Sequence, residues 1–217
     1  MSEPWRALPQ TLADEVAGVW SSVFPDGVPG FLTEAGGVSE ADAAQAIARS
    51  IFLRRTLEAH PERVDALCHT LPLTERTTEP YLRQRWGELL ESITSEPELQ
   101  TALRQFRMET QFRIIWRDLM RWSDLPETMA ATSDFADVCL QGALDWLYDD
   151  CCTELGTPWG ISPATGEEGP QPLIVLGMGK LGGHELNVSS DIDLMFAYPG
   201  KGETRGARRV IDNQHFF

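Results

Sequence analysis

The sequence predicts an α+β protein, a mainly helical N-terminal region followed by a short segment that forms strands. Three observations carry that expectation. From about Ser39 to about Glu154 apolar residues recur at helical spacing. Residues 156–172, "GTPWGISPATGEEGPQP", then concentrate glycine and proline without periodicity. After them come two short apolar runs, "PLIVLGM" and "DIDLMFAYP", each suited to a buried strand. The chain accordingly divides into a helical region (1–155), a linker or loop (156–172) and the opening of a second domain (173–217).

The helices follow in order. "SEADAAQAIARSIFLRRTLEAH" opens on Ser39 as a cap before an alanine-rich amphipathic run, and Pro61 begins the next helix. In "SEPELQTALRQFRMETQFRIIWRDLMRW" the residues Met108, Phe112, Ile115, Trp116 and Leu119 form one apolar stripe, with Arg113, Arg117 and Arg121 on a different side. "TSDFADVCLQGALDWLYDDCCTEL" is expected to start from a cap at Thr132 or Ser133 and to bury Phe135, Val138, Cys139, Leu144 and Leu147. Tryptophans such as Trp116 and Trp146 read as packing anchors.

Composition narrows the function classes. The 217 residues are 42% hydrophobic and 24% charged, ordinary for a globular chain, and the net charge is -15. Such a molecule repels phosphate backbones and anionic membrane surfaces, so nucleic acid is not expected as its primary partner. No uncharged apolar run reaches membrane-spanning length, and "MSEPWRALPQ" lacks the layout of a signal peptide. The expected location is cytoplasmic. Cys68, Cys139, Cys151 and Cys152 do not suggest a disulfide framework, and His60 and His69 around Cys68 lack the second ligand pair of a structural zinc site.

The chemistry concentrates in "LIVLGMGKLGGHELNVSSDIDLMFAYP". Gly177, Gly179 and Gly182 spell G-x-G-x-x-G after a strand, the pattern of a dinucleotide-binding turn. That turn must open a helix of about three turns before the next strand, in a unit of about 30 residues. The eight residues from Gly183 to Ser190 leave no room for it. The ribose-binding carboxylate is also misplaced, because Asp191 and Asp193 open the second strand rather than end it. A phosphate loop of the Walker type fails because no Ser or Thr follows Lys180.

The same residues suit metal-dependent phosphate chemistry. Asp191 and Asp193, two apart on a strand, would project from one face while Ile192, Leu194 and Phe196 point to the other. Two carboxylates can hold a hard divalent ion such as Mg2+ together with substrate phosphates. Gly182 and Gly183 would let the backbone approach a phosphate and offer it N–H groups, Ser189 and Ser190 would add hydroxyls, and Lys180 would neutralise charge or simply end the first strand. Arg113 and Arg117 are candidates to reach phosphate, against a solvated helix face on which Glu109 supports Arg113. His184 is considered as a proton donor to a leaving phenol, but a phenol leaves tolerably without one.

"GMGKLGGHELNVSSDIDLMFAYP" resembles the signature of the glutamine synthetase adenylyltransferases, two-headed members of the polymerase-beta-like nucleotidyltransferase superfamily. The resemblance extends through "LRQFRMETQFRIIWRDL", "LPETMAATSDFADVCLQGALDWLY" and "IDNQHFF", and covers most of the chain from about Ile51. It implies a bifunctional enzyme of reversible adenylylation. The wording here is closer to the N-terminal head, the deadenylylase, which splits adenylyl-tyrosine with phosphate to give ADP and tyrosine. It further implies Asp191 and Asp193 as metal carboxylates, Mg2+ as cofactor, ADP, ATP and phosphate as ligands, and glutamine synthetase and the PII signalling protein as partners. The superfamily's third carboxylate lies beyond a helix that Asp212 only enters, so with Phe217 as its last residue this polypeptide is expected to have little or no activity alone. Two alternatives stand beside this reading: a non-catalytic docking module, and a small-molecule nucleotidyltransferase, against which the long helical region argues.

Overall fold

A computed structural model describes residues 4–24 and 39–217. The described helical part comprises α1 (Gln10–Val23), α2 (Glu40–Arg49), α3 (Ile51–Ala59), α4 (Pro61–Thr70), α5 (Glu79–Leu90), α6 (Glu96–Leu119) and α7 (Leu125–Leu155). Ser39 caps α2 in a full capping box with Asp42, as its sequence predicts. The run to His60 is not one helix, because Ser50 ends α2 and its hydroxyl then accepts the Leu53 N–H to start α3. Pro61 opens α4 as expected, but the side chains of Cys68 and His69 lie outside the described residues.

Helix α7 also begins earlier than its sequence suggests. Asp124 is the cap, accepting the Glu127 N–H at 2.9 Å, with a proline in the first turn. Thr132 and Ser133 sit inside the helix, and the Thr132 hydroxyl donates back to the Thr128 carbonyl. The result is a 31-residue rod, about 46 Å long at 1.5 Å per residue. Phe135, Cys139 and Leu144 are half-buried and Val138 is buried, whereas Leu147 is 39% exposed, on an open pocket that Val175, Phe196 and Phe217 also line.

Two apolar cores result. Phe112 and Trp116 on α6 stack with ring centroids 5.7 Å apart and pack with Val16, Ile47, Leu53 and Leu57 from α1 to α3. Each such side chain contributes about 1.5–3 kcal/mol by leaving water. The N-terminal half of α6 joins α5 and α7 around Leu82, Trp86, Phe106 and Val138. Trp116 is fully buried and Trp146 packs at the edge of the second core, as anchors should.

Arg113 and Arg117 take neither of the places the sequence suggests. Both are buried, and they donate into the backbone of residues 71–75: Arg113 to Leu71, Pro72 and Glu75, Arg117 to Leu73 and Thr74. Arg117 also pairs with Glu127 at 2.6 Å, pinning the start of α7. The reason is local: the 71–75 turn brings carbonyls into the interior, and a guanidinium carries enough donors to satisfy several of them. Glu109 takes a bidentate contact from Arg85 at 3.0 and 3.2 Å.

The stretch expected as a linker or loop carries two strands. β1 (Thr157–Ile161) pairs antiparallel with β2 (Glu168–Pro170) and, on its other edge, with β5 (Gly202–Arg205). A separate pair joins β3 (Ile174–Gly177) to β4 (Leu194–Ala197), antiparallel, with Gly177 opposite Leu194. Between them a single turn of helix, α8 (Gly179–Gly182), carries the glycine cluster. α9 (Asn213–Phe216) closes the described chain, with Asp212 at its entrance as its cap. Asn213 donates to the Trp159 and Gly200 carbonyls, and Tyr148 of α7 donates to the Gln171 carbonyl at 2.9 Å. The mixed architecture agrees with the α+β expectation.

Candidate phosphate and metal site

The glycine cluster is built for close approach, not for a long helix. Gly179 has φ +54°, a left-handed conformation that favours glycine, and a Cβ there would stand 3.7 Å from Asp193 Oδ2. A Cβ on Gly182 would fall 2.5 Å from the Gly177 carbonyl oxygen, so the end of the turn folds directly onto the end of β3. The three glycines of G-x-G-x-x-G are thus explained by a tight strand–turn contact that places Asp193 over the turn.

That turn uses the N–H groups the sequence assigned to phosphate. Gly182 donates to the Met178 carbonyl at 3.2 Å and Gly183 to Gly179 at 3.0 Å. Among the described residues, the N–H groups of Gly179, Lys180 and Leu181 take no backbone acceptor, as expected of a first helical turn. Gly182 and Gly183 therefore close the turn, and the open donors are those of the three residues just before them.

Regular β4 starts at Leu194, so Asp191 and Asp193 precede the strand. Asp193 is held by its backbone, whose carbonyl accepts the Met178 N–H at 2.9 Å and prolongs the β3–β4 ladder. The expected alternation is kept only in part: Leu194 turns to the small core of Leu181, Leu186, Ala136 and Leu140, but Phe196, expected on the same buried face, is 62% exposed, and β3 and β4, expected as buried strands, lie mostly exposed as a two-stranded pair. At Asp191 it does not hold, because Asp191 and its neighbour Ile192 line the same cleft. Both aspartates are exposed, and among the described residues neither carboxylate takes an ion pair.

The other predicted residues gather nearby. Lys180 Nζ donates to Ser190 Oγ at 3.3 Å, and the hydroxyls of Ser190 and Ser189 donate to Asn187 Oδ1 at 2.7 and 3.3 Å. Lys180, Ser189 and Ser190 thus form one hydrogen-bonded group beside Asp191. His184, at φ +57°, places its Nε2 3.3 Å from Asp134 Oδ1 on α7. The Leu186 N–H donates to the buried Ser133 hydroxyl at 3.1 Å. Among the described residues no three His, Cys, Asp or Glu side chains converge on one metal position.

A cleft of about 580 Å³ opens between α6, α7 and the 186–192 loop. Arg107 and Gln111 line it from α6, and Asp191 and Ser190 from the loop. Sequence reasoning passed over Arg107 in favour of Arg113 and Arg117. The signal available was position: Arg107 lies one residue off the apolar stripe, next to Phe106, which is fully buried.

An exposed carboxylate pair thus stands beside a glycine turn, at the end of an antiparallel strand pair and backed by a long helical region, without the three-turn helix that a dinucleotide fold places after its glycines. The chain belongs to the GlnE family, glutamate-ammonia ligase adenylyltransferase, whose family model matches residues 41–217. It is 52% identical over 136 residues to the bifunctional glutamine synthetase adenylyltransferase/adenylyl-removing enzyme of Pseudomonas aeruginosa, covering 63% of this chain and 13% of that protein. It is 43% identical over 173 residues to the protein of the same name from Pseudomonas putida, covering 80% of this chain and 17% of that one. The chain thus spans less than a fifth of the length of these relatives.

Proposed function

We propose that this chain carries the phosphate and metal site of a deadenylylating head of polymerase-beta-like nucleotidyltransferase type, with residues 173–217 opening its catalytic domain. The observation that carries the reading is the placement of Asp193 over Gly179, beside Asp191 and the Lys180–Ser190 group, with both carboxylates exposed and unpaired among the described residues. Family membership and the adenylyl-removing activity in the relatives' names support it.

Oxygen-only, exposed ligands fit a hard cation, and Asp191 and Asp193 would hold Mg2+. Bound there, it would neutralise charge on the reacting phosphates. Lys180, the Ser189 and Ser190 hydroxyls and the open N–H groups of Gly179 to Leu181 would bind and orient phosphate oxygens. In the reaction a phosphate oxygen attacks the adenylyl phosphorus, the bond from phosphorus to the tyrosyl oxygen breaks, and the proton carried by phosphate passes to the departing phenolate. The products are ADP and free tyrosine. His184 faces Asp134 on α7, which supports its reading as a structural residue rather than a proton donor.

The substrate in this reading is adenylylated glutamine synthetase, the controlling partner the PII signalling protein, and the compartment the cytoplasm. No helix among the described residues is long and apolar enough to cross a membrane.

Calorimetry of ADP binding with and without Mg2+ tests the proposal. In the Asp191→Asn/Asp193→Asn variant the Mg2+-dependent part of ADP binding should disappear. Unchanged Mg2+-dependent affinity in a folded variant would remove both residues from the site.

A further inference from the structure

We propose that the cleft between α6, α7 and the 186–192 loop seats the nucleoside of the adenylyl group, so that the helical region supplies half of the nucleotide site. The inference rests on the reading of Asp191 and Asp193 as the phosphate end. At about 580 Å³ the cleft is within the range of small-molecule sites and has room for a base and a ribose.

Its lining differs from element to element. Phe135, Leu140 and Ala143 of α7 give it an apolar wall, which suits the flat face of a base and includes an aromatic ring for it to stack on. Gln111 offers from α6 an amide with both donors and an acceptor, the complement of a base edge. The charged side chains lining the cleft are Arg107 and Asp191. In a chain of net charge -15, a guanidinium facing the carboxylate loop across a cleft marks a place for an anion. Arg107 Nε donates weakly to Gln111 Oε1 at 3.4 Å, so the two act as one polar edge and can exchange that contact for a ligand. The carboxylate at one end holds metal and phosphate, and the space continuing from it holds sugar and base.

Adenosine without metal is the probe, because it lacks the phosphates that Asp191 and Asp193 would recognise. Equilibrium dialysis should show adenosine bound to the chain. Gln111→Trp, which fills the cleft from the α6 side, should weaken it at least about tenfold with the helical circular dichroism unchanged. Arg104→Ala, on α6 but outside the residues that line the cleft, should bind adenosine as the unaltered chain does. No adenosine binding at about millimolar concentration, undiminished binding in Gln111→Trp, or equal loss in Arg104→Ala would each overturn the cleft as the nucleoside seat. The carboxylate reading is judged separately, by the Mg2+ dependence of ADP binding.

Discussion

Asp134 Oδ1 on α7 lies 3.3 Å from His184 Nε2, the residue that follows the double glycine. Partial burial holds the Asp134 carboxyl above its ordinary value, with His184 pulling it back and Glu79 and Asp137 adding to the rise. Asp137 is raised chiefly by the same burial, with His184 and Arg83 opposing and Glu79 adding.

A carboxyl raised in the folded state binds its proton more tightly there than in the unfolded chain. Its charged form therefore weakens the fold at neutral pH, and that penalty fades as pH falls toward the ordinary carboxylate range. Asp137 is exposed at its surface, so Asp137→Asn should melt only slightly above the unaltered protein at pH 7, with the difference closing near pH 4. Thermal melts across that window measure it, and a lower melting point for the variant at pH 7 would contradict the burial argument.

Ser133→Ala removes the acceptor of the buried Leu186 N–H. An unsatisfied buried donor costs about 1–3 kcal/mol. Denaturant melts should show a loss of that order, and Ser133→Thr, which keeps the hydroxyl, should recover part of it. No loss with Ala would mean that the loop is not held through this bond.

Gly182→Ala forces a methyl against the Gly177 carbonyl, at 2.5 Å before any shift. The expected cost is about 1–3 kcal/mol, the range for overpacking a tight contact. Amide exchange should quicken in β3, α8 and β4 while α1 to α3 keep their protection.

Arg117→Met leaves the carbonyls of Leu73 and Thr74 without their donor and Glu127 with Arg76 alone, at 3.1 Å. Breaking one side of a buried pair costs about 3–5 kcal/mol. Arg117→Lys keeps the charge but loses the fork, and should recover only part of it. If Arg117 bound phosphate instead, ADP affinity would drop in the lysine variant, and here it should not.

Burial pushes the Cys139 thiol up to about 12, with Arg107 opposing. At pH 8 the nucleophilic thiolate is therefore scarce. Time-resolved alkylation read by mass spectrometry should find Cys139 modified more slowly than Cys151 and Cys152.

What was legible in the sequence was local. The Ser39 cap needs only Asp42 three residues on, and the strand–glycine–strand order of 173–197 is written in consecutive residues. What was hidden depended on distant partners. β1 reads as loop because its long partner, β5, arrives some 45 residues later in the chain. Arg113 and Arg117 read as surface cations because nothing near them announces the carbonyls of residues 71–75. Thr132 and Ser133 looked like a helix start because capping residues and back-bonding residues are the same types. Asp124, followed by a proline and Glu127, was the stronger signal. The role expected of Gly182 and Gly183 was legible as tightness, but which N–H groups stay open depends on how the turn closes.

The hydrogen bond from Leu186 to Ser133 crosses the glycine- and proline-rich stretch, and so does the packing of Leu181, Leu186 and Leu194 against Ala136 and Leu140. Anyone dissecting the molecule would be tempted to cut there, at Gly156, and express residues 157–217 alone. That piece would keep every aspartate and glycine of the site yet leave behind the surface on which the loop is moulded. A loss of ligand binding in that piece, set against the whole chain, would report a missing template.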